Sequence, residues 1–73
     1  MVFNVRLIRD GEISCPYTIN SITADSEAAA IKEAKEFVAK NGYWGYEETP
    51  LKDSVIKDRM DHLVVDEVEV EFY

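Results

Sequence analysis

The chain has 73 residues, of which 47% are hydrophobic and 32% charged, and its formal net charge at pH 7 is −7. This length supports one hydrophobic core, so we expect a single domain over residues 1–73, and the apolar content excludes a disordered chain. The acidic balance disfavours direct nucleic-acid binding, because that affinity comes mainly from Lys and Arg side chains at phosphates.

The first predicted element is a β-strand over residues 2–9, where apolar and polar side chains alternate. Phe3, Val5 and Leu7 share one face of this strand, and we expect that face to be buried. The Asp-Gly dipeptide at 10–11 then supplies a turn into a second strand.

The length of that turn sets how the two strands pair. A two-residue loop would scatter the apolar side chains over both faces of the hairpin. A three-residue loop, from Arg9 to Gly11 with the glycine in a left-handed bulge, keeps them on one face. The second loop therefore predicts three cross-strand pairs: Leu7 with Ile13, Val5 with Cys15, and Phe3 with Tyr17.

The second strand continues to Ile19, after which the apolar positions change parity. This change predicts a β-bulge near Asn20 and Ser21. Pro16 has no backbone N–H to donate to a neighbouring strand, so we expect the second strand to lie at an edge of the sheet.

The main helix is predicted over about 26–41. Ser26, or Asp25 before it, can accept a hydrogen bond from the free amide groups of the first turn. Asn41 and Gly42 end the helix, with the glycine in the left-handed conformation. Apolar residues at spacings of one, three and four form the stripe expected to face the sheet: Ala30, Ile31, Ala34, Phe37 and Val38.

A second, shorter helix is predicted over about 50–61. Thr49 is a plausible cap for it, and Pro50 suits its first position because that residue needs no backbone hydrogen bond there. Apolar residues recur at helical spacing through this segment: Leu51, Val55, Ile56, Met60 and Leu63.

The last segment predicts a regular β-strand with two alternating sets of side chains. The inward set is Val64, Val68, Val70 and Phe72, and the outward set is Glu67, Glu69, Glu71 and Tyr73. Asp66 is the one polar residue that interrupts the inward set.

Together these elements predict an α+β fold of the type ββα(α)β. The three strands form an antiparallel sheet in the order 2-1-3, with the last strand beside the first. The main helix packs on one face of the sheet. The opposite face shows Asn4, Arg6, Thr18 and the glutamates of the last strand.

Few residues are suited to catalysis or metal binding. Cys15 and His62 are the single cysteine and histidine, so the chain forms no internal disulfide and no Cys/His metal cluster. Cys15 is interpreted as a small core residue rather than a nucleophile activated by His62. The three glycines fit turns and caps, not a phosphate-binding loop. We therefore expect no enzyme activity, no catalytic residue, no cofactor and no metal site.

The location follows from the same residues and from the hydropathy pattern. A lone cysteine fits a reducing compartment, the first residues do not resemble a signal peptide, and no apolar stretch approaches the ~20 residues of a membrane span. We expect a cytoplasmic protein with no membrane partner.

The acidic residues concentrate near the C-terminus, since nine of the fifteen lie in residues 41–73. Residues two apart on a strand are about 6.7 Å apart, so Glu67, Glu69 and Glu71 would form a row of charges that mimics a nucleic-acid strand and fits a basic groove. The alternative is a solvated sheet face whose charges discourage edge pairing.

Tyr43, Trp44 and Tyr46 form an aromatic loop between the two helices. Large aromatic side chains of this kind anchor protein interfaces, and they also fold back over a core as a lid. Stacking of a base or a flavin on the loop is a third interpretation.

The stretch ADSEAAA at 24–30, followed by Lys35, Glu36 and Gly42, lies between a predicted strand and a predicted helix. It resembles small phage and mobile-element proteins, including some anti-CRISPR proteins of phages, in which a hairpin runs into an alanine-rich helix and returns as an acidic strand. The resemblance covers 3–38 and 64–72. It implies a small inhibitor or adaptor that acts by binding.

The leading hypothesis is a non-catalytic acidic module that binds a basic protein surface, such as the nucleic-acid-binding groove of a host defence protein. Two sets of residues would form its site: the charges of Asp66, Glu67, Glu69 and Glu71, and the aromatic anchor of Tyr43, Trp44 and Tyr46.

Two alternatives come from other classes of protein. One is a homo-oligomer, in the simplest case a homodimer, that associates through a strand edge or the aromatic loop. A chain of this size buries only about 60% of its unfolded surface, so a second copy would add burial. The other is a small-ligand binder that stacks its ligand on Trp44.

Overall fold

The computed structural model describes residues 1–9, 16–41 and 52–72. Its three strands form one antiparallel sheet in the order β2-β1-β3, and two helices separate β2 from β3 along the chain. This arrangement confirms the predicted α+β fold and strand order. The elements are β1 (Val2–Arg9), β2 (Tyr17–Thr23), α1 (Glu27–Lys40), α2 (Asp53–Asp61) and β3 (Leu63–Phe72).

Helix α1 has the predicted limits. The hydroxyl oxygen of Ser26 accepts a hydrogen bond from the backbone N–H of Ala29 at 3.2 Å, which caps the N-terminus. At the other end Asn41 is the C-cap, and its backbone N–H donates to the carbonyl oxygen of Val38. The predicted left-handed Gly42 lies outside the described residues.

Small side chains place α1 close to the sheet. Ala30, Ala34 and Val38 are fully buried against the inner face of β1. Phe37, predicted to join them, is 48% exposed, and Ala39 is buried instead. The prediction was wrong because α1 also packs against α2, so the buried side of the helix extends towards α2. The periodicity of α1 alone cannot show where α2 lies.

Helix α2 is shorter than predicted and lies at the side of the core. It begins after Lys52, which makes no side-chain cap, and none of its residues is buried. Arg59 fastens it to α1, because its Nη1 donates a 3.0 Å hydrogen bond to the carbonyl oxygen of Ala39. The predicted cap at Thr49 and Pro50 lies outside the described residues.

The pairing of β1 with β2 corrects the predicted register. Three pairs define it: Leu7 with Tyr17, Val5 with Ile19, and Phe3 with Ile22. Leu7 and Val5 pair four residues further along β2 than predicted, an even shift that keeps the apolar side chains on the predicted face. Phe3 pairs five residues further along, because the bulge in β2 adds one residue. Parity fixes the face of a strand but leaves such shifts undetermined. The predicted partners Ile13 and Cys15 lie outside the described residues.

The predicted bulge in β2 is confirmed. Between the pairs at Phe3 and Val5, β1 advances two residues while β2 advances three. Ser21 adopts the left-handed conformation, with φ at 60°. Its backbone N–H donates a 3.0 Å hydrogen bond to Oδ1 of Asn4. Strand β2 lies at an edge of the sheet, as Pro16 predicted.

Strand β3 departs from the predicted alternation at two irregularities. Arg6 lies opposite Glu67 and Leu7 opposite Val65, so Asp66 is an extra residue in the ladder. At this bulge the alternation of β3 changes phase, so residues before and after it that point into the core have opposite parity. Leu63 is therefore buried in the core and Val64, predicted to face inward, is 53% exposed.

The second irregularity lies near the end of β3. Phe3 pairs with Val70 and Val2 pairs with Phe72, so Glu71 has no partner in the register. Phe72 shares the face of Val2 and is 63% exposed, which corrects its predicted place in the core. One alternating pattern over the whole segment cannot describe a strand that changes phase twice.

The close contact between α1 and the sheet predicts a steric limit at Ala34. Replacing it with leucine (Ala34→Leu) should lower the free energy of unfolding by about 1–3 kcal/mol, because the extra carbons overpack the core. Ala28→Leu, at an exposed position of the same helix, should change it by no more than about 0.5 kcal/mol. Urea unfolding followed by far-UV circular dichroism measures both, and equal midpoints would contradict this packing.

Candidate functional site

The helices pack on one face of the sheet and leave the other face uncovered by any described element. Side chains of Phe3, Val5 and Leu7 point towards α1, so their neighbours on β1 point away from it. None of the side chains on this second face is buried. We call it the open face, and its residues are Val2, Asn4, Arg6, Ile8, Thr18, Thr23, Val64, Glu67, Glu69 and Phe72.

The centre of the open face is polar. Arg6 lies between Thr18 on β2 and Glu67 on β3, and Asn4 lies beside Glu69. These residues and Asn20 line a shallow cavity of about 130 Å³. Its lining combines carboxylates, amides, a hydroxyl and the guanidinium of Arg6, so it offers mainly hydrogen-bond acceptors and donors.

Arg6 forms ion pairs with two of the predicted acidic residues. Its Nε donates to Oδ2 of Asp66 at 2.6 Å, and its Nη2 donates to Oε2 of Glu67. The hydrogen bond that Arg6 donates to Asp66 and then the negative charge of Glu67 raise the pKa of Arg6 above its ordinary value. Arg6 therefore compensates part of the charge that the acidic strand carries.

The predicted row of three glutamates is shorter in the structure. Glu67 and Glu69 lie in register with Arg6 and Asn4 on the open face, whereas Glu71 falls at the second irregularity of β3. Glu69 and Glu71 are exposed and make no ion pair with any described residue. Of the four carboxylates on β3, Glu69 and Glu71 are therefore the two that no described cation pairs with.

Apolar side chains flank the polar centre at both ends. Phe72 lies opposite Val2 at one end, and Val64 lies opposite Ile8 at the other. Sequence reasoning placed Phe72 and Val64 in the core and so missed them as surface residues. For Val64 the available signal was Asp66, a polar residue that interrupts the alternating apolar series where the bulge lies. No such interruption precedes Phe72 in the sequence.

The predicted aromatic anchor, Tyr43, Trp44 and Tyr46, lies outside the described residues. Its interpretation as a lid, a partner contact or a stacking site for a small ligand stays a prediction. Phe72 is the aromatic side chain that the structure does place beside the acidic residues of β3.

The described residues contain no group of three or more His, Cys, Asp or Glu side chains that could hold a metal ion. His62 lies at the end of α2, where its Nδ1 is 2.8 Å from the carbonyl oxygen of Asp58. It therefore belongs to the helix terminus, on a different element from the open face. The prediction that the chain is not an enzyme stays a prediction.

In the comparisons with known proteins, no family model, curated protein or solved structure matches the chain. In the part of the chain that the structure describes, neither helix has the length and apolar content needed to cross a membrane.

The ion pairs of Arg6 predict a salt-dependent contribution to stability. Arg6→Gln should lower the free energy of unfolding, and the loss should shrink as NaCl is added because both pairs are exposed to solvent. Because the pKa of Arg6 is raised, its guanidinium is charged at neutral pH, and the ion pairs are lost only at strongly alkaline pH. The loss of unfolding free energy in Arg6→Gln should therefore be the same at pH 7 and pH 9.

Lys57→Gln is the matched control, because it removes the same charge from an exposed position on α2 that has no ion pair among the described residues. Urea unfolding at low and high NaCl measures both variants. Equal, salt-independent effects of the two substitutions would show that Arg6 contributes no specific pairing.

Proposed function

We propose that this chain is a non-catalytic binding module whose open face docks onto a basic surface of another protein. The observation that carries the proposal is the exposure of Phe72, an aromatic side chain that follows directly on the acidic residues of β3. Exposed apolar side chains that adjoin one another and are bordered by polar residues mark interaction sites, and Phe72 lies opposite Val2 at one end of the open face.

The charge of β3 supports a basic partner. The strand carries four acidic residues and no basic one, and within the described chain Arg6 alone pairs with them. Glu69 and Glu71 keep their charge available to a second molecule. Complementary charge mainly speeds association and selects the partner, while the buried apolar anchor slows dissociation.

The open face also has the mixed character of a protein interface. Apolar side chains lie at its two ends and hydrogen-bonding groups lie at its centre, so a partner would bury both kinds of surface together. A nucleic acid would instead meet carboxylates that repel its phosphates. Both considerations favour a protein as the partner.

The resemblance to small phage inhibitors suggests a narrower form of the proposal, in which the basic surface is a nucleic-acid-binding groove of a host protein. The negative charge of β3 supports this narrower form, but the spacing of its glutamates supports it less. The regular row contains only Glu67 and Glu69, and Glu67 pairs with Arg6. The phage-type role and a cytoplasmic location stay predictions.

Reversing charge on β3 tests the acidic part of the site. Wild-type protein immobilised on beads should retain a basic protein from a cell extract, and the double variant Glu69→Lys/Glu71→Lys should lose it. The control Glu33→Lys/Asp61→Lys makes the same charge change at exposed positions on the helices and should retain the protein. Equal retention by all three would reject the open face as the acidic site.

Truncating Phe72 tests the apolar anchor. With the retained protein purified, Phe72→Ala should raise its dissociation constant by about tenfold or more, which is the size expected for an anchoring aromatic residue. Phe37→Ala removes a phenylalanine that is 48% exposed on α1 and should leave the constant within about twofold of wild type. Calorimetric titration gives both values, and equal effects of the two substitutions would move the interface away from the open face.

A further inference from the structure

The shallow cavity at the centre of the open face is built by all three strands of the sheet. Its volume is about 130 Å³. Each strand contributes two lining residues: Asn4 and Arg6 from β1, Thr18 and Asn20 from β2, and Glu67 and Glu69 from β3. Pockets that enclose a drug-sized molecule measure about 300–1,000 Å³. This cavity is therefore of a size that takes one polar head group rather than a whole cofactor.

The cavity is open to solvent. Four of its lining residues are exposed: Thr18, Asn20, Glu67 and Glu69. The side chain of Glu67 stays 54% exposed although it pairs with Arg6. An incoming group can therefore reach the lining without displacing any part of the sheet.

Some hydrogen-bonding groups of the lining are already used, and others are spare. Oδ1 of Asn4 accepts a 3.0 Å hydrogen bond from the backbone N–H of Ser21, which fixes this side chain beside the cavity. By contrast, the side chains of Thr18, Asn20 and Glu69 make no hydrogen bond or ion pair with a described residue. Their oxygen atoms are available to a second molecule.

Charge selects a cation for this cavity. Arg6 pairs with Asp66 and Glu67, and Glu69 adds a third carboxylate two residues further along β3. One positive charge is thus outnumbered by three negative ones, and the surroundings of the cavity repel an anion. A divalent metal ion is disfavoured, because such ions need several oxygen ligands and the lining includes the guanidinium of Arg6. These properties favour an organic cation.

The spare acceptors suit a guanidinium better than an ammonium group. A guanidinium is planar and carries five N–H donors, two of which can bind both oxygens of one carboxylate in parallel. Glu69 offers such a carboxylate, and Thr18 and Asn20 offer further acceptors across the cavity. We propose that the cavity binds the side chain of an arginine on the partner protein, with Glu69 as its bidentate acceptor. This inference rests on the proposed function, because it names the residue through which a basic partner would recognise the open face.

The apolar end of the open face lies beside this cavity. Val2 and Asn4 are two residues apart on β1, a distance of about 6.7 Å along the strand. They lie opposite Phe72 and Glu69 respectively. A partner that fits both contacts therefore presents an arginine with apolar surface next to it.

The experiment is an NMR titration of the full isotope-labelled chain with a blocked arginine, N-acetyl-arginine amide. The probe should bind with a dissociation constant in the millimolar range, as expected for one charge-assisted contact at an exposed site. It should shift the amide signals of the cavity residues. N-acetyl-lysine amide should bind more weakly, because an ammonium group is a point charge with three donors. N-acetyl-citrulline amide, which has a similar shape without the charge, should not bind.

Two single substitutions on β3 locate the binding. Glu69→Gln removes one charge from the cavity and should raise the dissociation constant of blocked arginine about fivefold. Glu71→Gln is the matched control, since it removes the same charge from an exposed residue of the same strand outside the cavity. Its dissociation constant should stay within about twofold of wild type at physiological salt. The amide spectrum also reports the fold of each variant.

Three results would each overturn the site: no saturable binding of blocked arginine, equal binding of the lysine or citrulline probe, or equal effects of the two substitutions. If a basic protein is retained from the extract and one of these results is seen, the site is wrong and the docking proposal stands. If blocked arginine binds as expected and no protein is retained, the site stands and the docking proposal fails.

Discussion

One extra residue in β3 decides which side chains this protein buries. If the alternation that buries Leu63 and Val65 continued unbroken, Glu67 and Glu69 would enter the core, and burying such carboxylates is costly. The bulge at Asp66 exchanges the faces, so that Val68 and Val70 pack inward instead. Arg6 binds the carboxylates of Asp66 and Glu67 at the point where the phase of the strand changes.

The thin core explains why so much surface remains open to other molecules. Helix α1 approaches the sheet through alanines, and α2 contributes no buried side chain. The described chain therefore has one layer of helices on one layer of sheet, and nothing described covers the second face of that sheet. Small domains with limited burial commonly gain stability by association, and the open face lies where the described burial ends.

The chemistry of β3 and the open face selects the kind of partner proposed for them. Glu69 and Glu71 pair with no described cation, and the exposed side chain of Phe72 follows them on the same strand. This combination of negative charge and apolar surface suits a basic protein. It would repel a second copy of the same acidic strand.

Much of the fold could be predicted because its signals are local. Alternation over a few residues defined the strands, Ser26 and Asn41 marked the limits of α1, and the change of parity before Ile22 located the bulge in β2. These patterns depend on neighbours along the chain, and their physical basis is steric or a single hydrogen bond. The acidic nature of β3 was equally plain from its composition.

Only the tertiary structure decided the register and the composition of the site. The pairs of Leu7 and Val5 with β2 are shifted by four residues from the predicted ones. An even shift preserves the faces, so the residue pattern could not choose between the two registers. Arg6 binds Asp66 across 60 residues of chain, a contact that no local pattern contains. The outward position of Phe72 likewise follows from the second change of phase in β3, at Glu71, which is seen only in the pairing of that strand with β1.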